Sequence, residues 1–414
     1  MRLSLATSLT LSMLFAGACA RAEVPTHAPH PTRATALPTA TLTATPTATS
    51  LATLTPTPTP TFRLIAYLAA WSTAPSRGYR LADLPGDKLT HLNYAFAAVS
   101  PAGECVSGDA NADARNLPAL AQLKQRFPHL RISISLGGAG AQNFARAAQN
   151  AETRQKFAQS CVAWMRQNRF DGIDVDWEFP KNDVEKQNYA ALLAELRAQL
   201  DVAGALDGTR YGLTIAAPAG AQQYTGVAWS QIARDVDWIN LMTYDFAGAW
   251  SSVTGHNAPL YASSLDPAKT PSAQAYNGHA AVQAYIAAGV PPNKIVFGVP
   301  FYGRGWKQVA SANNGLFQTF NGVPQGTRGG GAFDYRDLQK NYLPTHTRFW
   351  DATAQVPWLY NPATQVMISY DDAESLARKA EYVKANKLGG VMIWEISTDD
   401  EQGSLLNAIY TRLR

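Results

Sequence analysis

The chain has 414 residues, 46% of them apolar, and a formal charge of +4. Half of that small excess sits before Phe62, in Arg2, Arg21, Arg33 and Glu23, so the remainder is nearly neutral. Such a chain lacks the basic face that nucleic acid demands, and no nucleic-acid partner is expected. Its length suits two or three domains, or one large barrel with additions.

The N-terminal run MRLSLATSLTLSMLFAGACA combines one Arg, a short apolar stretch and small residues. It reads as a signal peptide over residues 1–18, because the apolar stretch is too short to span a bilayer. Cys19 follows small residues, as in bacterial lipoprotein leaders, and cleavage before it would expose a thiol for lipid attachment. The other reading is ordinary Ala-x-Ala cleavage after Ala18, Ala20 or Ala22, with Cys19 incidental. Either way the protein is expected to be secreted, or held at the outer face of the membrane through lipidated Cys19. From Val24 to Thr61 the sequence is Thr, Pro and Ala with almost no charge. Such a stretch cannot build a core, so residues 19–62 read as an extended tether. Cys105 and Cys161 remain, and an isolated pair in an exported chain reads as a disulfide.

From Arg63 onward, short apolar runs alternate with amphipathic stretches. The runs are RLIAYLAAW, LTHLNYAFAAV, LRISISLGG, FDGIDVDWEFP, YGLTIAAPA, VDWINLMTYDF, IVFGVPFYG and GGVMIWEIS. Between them lie helical patterns such as AETRQKFAQSCVAWMRQN, with Phe157, Cys161, Trp164 and Met165 on one stripe. Eight strands alternating with helices predict an α/β fold, a (β/α)8 TIM barrel over residues 63–414. An open doubly wound sheet is the competing architecture, but no G-x-G-x-x-G opens a helix after the first strand. The rhythm breaks over residues 306–368, rich in Gly and aromatics, which predicts a small α+β lobe inserted between strands 7 and 8.

The run DGIDVDWEFP places acids inside a strand. Alternation puts Asp174, Asp176 and Glu178 on one face and Ile173, Val175 and Trp177 on the other. Asp171 has the opposite parity and reads as structural. The three aligned acids climb the barrel interior, roughly 6–7 Å apart, with Glu178 at the C-terminal end. Burial and mutual repulsion disfavour full ionisation, so one acid keeps the proton that a general acid needs. The competing reading is a metal or cation cluster, but no His accompanies the acids and Lys181 is the only nearby cation. No metal or cofactor is therefore expected.

These residues carry a resemblance. DGIDVDWEFP resembles the D-x-x-D-x-D-x-E signature of glycoside hydrolase family 18, the chitinases. SLGG (Ser135 to Gly138), MTYDFAGAW, GVPFYGR and GGVMIWE resemble further motifs of that family in the same order, and residues 306–368 resemble its insertion domain. The resemblance implies a barrel enzyme, acting as a monomer on chitin or chitooligosaccharides. It implies that Glu178 protonates the glycosidic oxygen, Asp176 orients the substrate's acetamido group and Asp174 supports Asp176. Tyr244 and Asp245 would contact the acetamido group and the acids, and Trp394 would floor the subsite of the scissile sugar. Tyr67, Phe96, Met242, Tyr302 and Arg304 match pocket positions, though Met242 and Phe96 could equally be core. Trp71, Trp250 and Trp306 are either sugar platforms or packing residues, with Trp250 favoured as a platform. Gly137 and Gly138 would allow a close backbone turn. Two departures stand out: Ala139 replaces a common Trp, and Phe179 a common Tyr. Neither touches the proton donor. An endo-β-N-acetylglucosaminidase and a chitin-binding lectin are the alternative functions.

Overall fold

The computed structural model describes residues 62–414; the leader, Cys19 and nearly all of the tether lie outside the described residues. Fourteen strands are present among the described residues. The first eight strands are β1 (Arg63–Ala69), β2 (His91–Val99), β3 (Cys105–Ser107), β4 (Arg131–Gly137), β5 (Gly172–Asp176), β6 (Gly212–Pro218), β7 (Trp238–Met242) and β8 (Ile295–Pro300). They are followed by β9 (Tyr302–Trp306), β10 (Ala332–Asp334), β11 (Thr347–Asp351), β12 (Val356–Asn361), β13 (Val366–Ser369) and β14 (Gly390–Trp394).

Eight parallel strands run in the order β1-β14-β8-β7-β6-β5-β4-β2, and β1 pairs back with β2, which closes the barrel. All eight expected strands are the barrel staves. The short β3 adds antiparallel to β2 outside that set.

The covering helices follow from their sequences. Residues 151–167 form a helix that opens on a capping box, with Asn150 and Thr153 exchanging side-chain and backbone bonds. Its expected stripe is real: Phe157, Cys161 and Met165 are buried against the barrel, with Trp164 partly covered. Just past the end of β5, Trp177 joins the same layer, where it stacks on Phe144 at 5.5 Å and meets Tyr189 edge-on. Asp171, of opposite parity, pairs with Lys124 at 2.8 Å and accepts the Ile132 amide, which fixes the entry of β5.

The inserted lobe is a five-stranded antiparallel sheet in the order β10-β9-β13-β12-β11, spanning Tyr302 to Ser369. Its core gathers Trp306, Leu316, Trp358, Tyr360 and Met367. Trp306 is fully buried there and donates its indole N–H to Gly248 O at 3.0 Å, so it packs rather than faces sugar. Asp351 accepts from His256 Nε2 at 3.1 Å and from the Ser263 hydroxyl, pinning the lobe to the loop after β7.

The expected disulfide is absent. Cys105 and Cys161 are both free and buried. The Cys161 thiol is pushed well up, by burial first and then by the neighbouring Cys105. Both thiols lie in the corner between β3 and the helix at 151–167, where Ser160 Oγ accepts the Cys105 amide at 2.9 Å.

Candidate active site

The strand register builds the support from below. Ser135 on β4 and Thr214 on β6 lie level with Asp174 on β5. Both hydroxyls point inward and donate to its carboxylate, Ser135 to one oxygen at 2.7 Å and Thr214 to the other at 2.6 Å. The Tyr67 hydroxyl adds a bond at 2.7 Å and the Asn240 amide one at 3.1 Å. Trp238 in turn holds the Asn240 oxygen at 3.0 Å. Four donors converge on one fully buried acid, so its charge is well accommodated. Burial still raises the Asp174 carboxyl above its ordinary range, with those bonds pulling the other way.

Asp176 sits one pleat higher and lacks such donors. It is buried, and its Oδ1 has no hydrogen-bond partner. Its carboxyl is pushed well up, by burial first, then by the charges of Glu178 and Asp174. Glu178 follows at the half-buried rim, raised to about 7, by burial first and then by Asp245. The stack is thus graded. The lowest acid is saturated with donors, while the upper two keep a proton available near neutrality.

Asp245 and Tyr244 enter from the end of β7. The Arg304 guanidinium grips Asp245 through two bonds of 2.8 and 2.7 Å, and the Tyr302 hydroxyl adds a third at 2.7 Å. Asn257 receives the Asp245 amide at 3.1 Å. Arg304 also lies over the Trp250 and Tyr302 rings, each at 5.2 Å. The Tyr244 hydroxyl is 3.8 Å from the Met392 sulfur, a weak contact that leaves it free to bind something stronger.

Trp394 ends β14 and forms the floor. Phe96 stacks on it at 5.8 Å and Tyr67 tilts against it at 5.5 Å. Gly138, with φ of 86°, makes room for that arrangement, since a Cβ there would come within 2.5 Å of the Phe96 ring. Gly137 likewise lies against the Asp176 carbonyl, and a Cβ would reach it at 2.1 Å.

The cleft has two compartments. One, of about 540 Å³, contains Trp394, Tyr67, Phe96, Trp71, Asp176 and Arg328. The other, of about 420 Å³, contains Trp250, Phe246, Tyr276 and Gln223. Glu178, Met242, Tyr244 and Asp245 belong to both, so the proton donor stands at their junction. Phe96 and Met242 therefore face the cleft as well as packing inside the barrel. Trp250 is 61% exposed and Trp71 is 39% exposed, both open to a passing ligand. Ala139 lines the larger compartment without offering a ring.

Asp176, Glu178, Tyr67, Phe96, Gly138, Met242, Tyr244, Asp245, Trp250, Tyr302, Arg304 and Trp394 line the cleft, whereas Asp174 lies buried beneath it. Sequence reasoning missed Thr214, Asn240, Asn257 and Arg328, and gave Ser135 no part of its own. Thr214 and Asn240 carried a signal of the kind that marked Asp174: each is a polar residue at an inward position of an otherwise apolar strand.

Residues 63–399 match the family described as Glycosyl hydrolases family 18. The chain is 40% identical over 397 residues to chitinase A1 of Niallia circulans, covering 82% of this chain and 57% of that protein. It is 37% identical to chitinase 1 of Aphanocladium album, covering 81% of each. Chitinase ChiA74 from Bacillus thuringiensis superposes with a TM-score of 0.81 at 34% identity, covering 85% of this chain and 69% of that one. The acid stack thus sits in a barrel that these proteins share, and the chain belongs to family 18 of the glycosyl hydrolases as a glycoside hydrolase akin to chitinases.

Proposed function

We propose that the protein hydrolyses β-1,4 bonds in chitin and chitooligosaccharides with retention, using the substrate's own N-acetyl group. The carrying observation is the contrast within the stack: a donor-saturated Asp174 beneath two acids whose carboxyls are pushed up. A sugar lies on Trp394 with its acetamido group beside Asp176 and Tyr244. Glu178, protonated, gives its proton to the glycosidic oxygen as that bond breaks. The acetamido carbonyl oxygen attacks the anomeric carbon and forms a cyclic oxazolinium ion. Asp176 takes the amide proton side of that ion and stabilises its charge, while Tyr244 holds the carbonyl side. Ionised Glu178 then takes a proton from water, which opens the ring with net retention. None of the carboxylates acts as the nucleophile.

The Trp394 compartment holds the glycone and the Trp250 compartment the leaving chain. A lectin reading fits poorly, because a binding module has no use for a carboxyl held near 7 at a junction. The leader and tether support a secreted or lipid-anchored enzyme, and intact mass of the exported protein tests the lipid on Cys19. The function itself is tested by Glu178→Gln. Turnover of chitooligosaccharides should vanish while binding persists, and normal turnover by that variant would refute the assignment.

A further inference from the structure

Arg328 belongs to none of the motifs that mark the site, yet its side chain lines the larger compartment. It rides on a glycine-built turn of the inserted lobe, where Gly326, Gly329, Gly330 and Gly331 all have positive φ. Both Thr327 and Arg328 direct their amides to the Ala332 carbonyl, which fixes the turn. The guanidinium is then held from two sides. Its Nε bonds Asp334 at 2.5 Å, and one terminal nitrogen bonds Glu395 at 2.8 Å. Glu395 is buried, and it is the residue that follows the floor tryptophan, Trp394. These bonds use Nε and Nη2 and leave Nη1 on a side chain that is 21% exposed.

The position of Arg328 around the barrel gives it meaning. In the closed strand order, β14 lies diametrically opposite β5. Asp176 and Glu178 extend from β5, whereas Trp394 and Glu395 extend from β14. Successive sugars of a β-1,4 chain are turned over, so their acetamido groups face alternate edges. If the sugar on Trp394 turns its acetamido group toward Asp176, the next glycone sugar turns its own toward the β14 edge, where Arg328 waits. A guanidinium has donors only, so it can satisfy an amide carbonyl but cannot accept from an ammonium group.

On the reading of the site given above, we propose that Arg328 selects an N-acetylated over a free-amino sugar at the glycone position next to the one on Trp394. Removing the acetyl group leaves a donor facing a donor. Loss of one charge-assisted hydrogen bond corresponds to at least about tenfold in discrimination.

The experiment is digestion of a partially deacetylated chitosan of known composition, with mass-spectrometric sequencing of the products. Wild-type products should carry N-acetylglucosamine at the new reducing end and, about tenfold above chance, at the unit before it. Arg328→Gln, which offers both a donor and an acceptor, should bring the second unit to within about twofold of chance while the first stays acetylated. Arg328→Lys, which keeps a cationic donor, should keep the preference at the second unit. Random occupancy of the second unit in wild type overturns the proposal, as does an unchanged preference in Arg328→Gln. If that variant does not fold, random occupancy of the second unit in wild type still overturns the proposal, as does an unchanged preference in Arg328→Met, which keeps the bulk but offers no donor. Free amines at the first unit would instead overturn the acetamido mechanism, so the two failures are separable.

Discussion

The proton held by Glu178 has a cost that can be measured apart from turnover. Its carboxyl titrates near 4.5 in an unfolded chain and at about 7 in the folded one. Each pH unit between those values is worth about 1.4 kcal/mol, which gives an upper figure of about 3 kcal/mol. The side chain is only half-buried, so solvent screening reduces this to roughly 1–3 kcal/mol. The sign follows from linkage. A raised folded value means that the native state binds the proton more tightly, so this stability is full below 4.5 and is lost as pH rises through about 7. Glu178→Gln carries no titrating proton and escapes the loss. Relief of Asp176, whose carboxyl is raised in part by Glu178, adds in the same direction. The variant should therefore melt with wild type at pH 4.5–5 and several degrees above it at pH 8. Thermal unfolding of both proteins across that range is the assay. A melting difference that stays constant from pH 5 to pH 8 would refute the graded stack.

Three further perturbations probe different levels of the site. Asp245→Asn removes the charge that helps raise Glu178, so the basic limb of kcat/KM should move to lower pH; a fixed limb would show that burial alone sets it. Thr214→Val deletes one donor to Asp174, a bond to a charged group worth about 1.5–3 kcal/mol. We expect kcat to fall roughly ten- to hundredfold with little change in KM, and a KM effect alone would contradict a role beneath Asp176. Gly138→Ala forces the Phe96 ring away from Trp394, and KM for chitooligosaccharides should rise several-fold; unaltered binding would mean that the aromatic floor tolerates displacement.

Much of this molecule could be read from its sequence because two periodicities coincide in it. The barrel staves announce themselves as apolar runs, and the polar residues that interrupt them with even parity mark the site. Asp174, Asp176 and Glu178 stood out because three acids alternate along one short run, two on β5 and Glu178 just beyond its end. Thr214 and Asn240 are single interruptions on separate strands, and only register brings them to Asp174. Register is a tertiary property, set by closure of the barrel, and no local pattern encodes it. Arg328 was hidden for a related reason: its contacts, Asp334 and Glu395, depend on how a lobe folds back over the rim. The cysteine pair illustrates the reverse case. An isolated pair in an exported chain suggested a bond, but Cys105 and Cys161 are both free and buried.

The two compartments that share Glu178 also bear on the direction of substrate traffic. Because Glu178, Met242, Tyr244 and Asp245 border both spaces, bond cleavage divides one ligand into two occupants held by different walls. On the proposed mechanism the fragment beside Trp250 would rest on a ring that is largely open to solvent, whereas the fragment on Trp394 would rest among Tyr67 and Phe96. Unequal grip of this kind imposes an order of departure. On that mechanism the leaving chain would escape first, and water would enter through the doorway that it vacates while the reactive sugar stays covered. A better acceptor than water waiting in that doorway would be joined to the glycone, so the same asymmetry that favours hydrolysis in dilute substrate would favour chain elongation in concentrated oligomer.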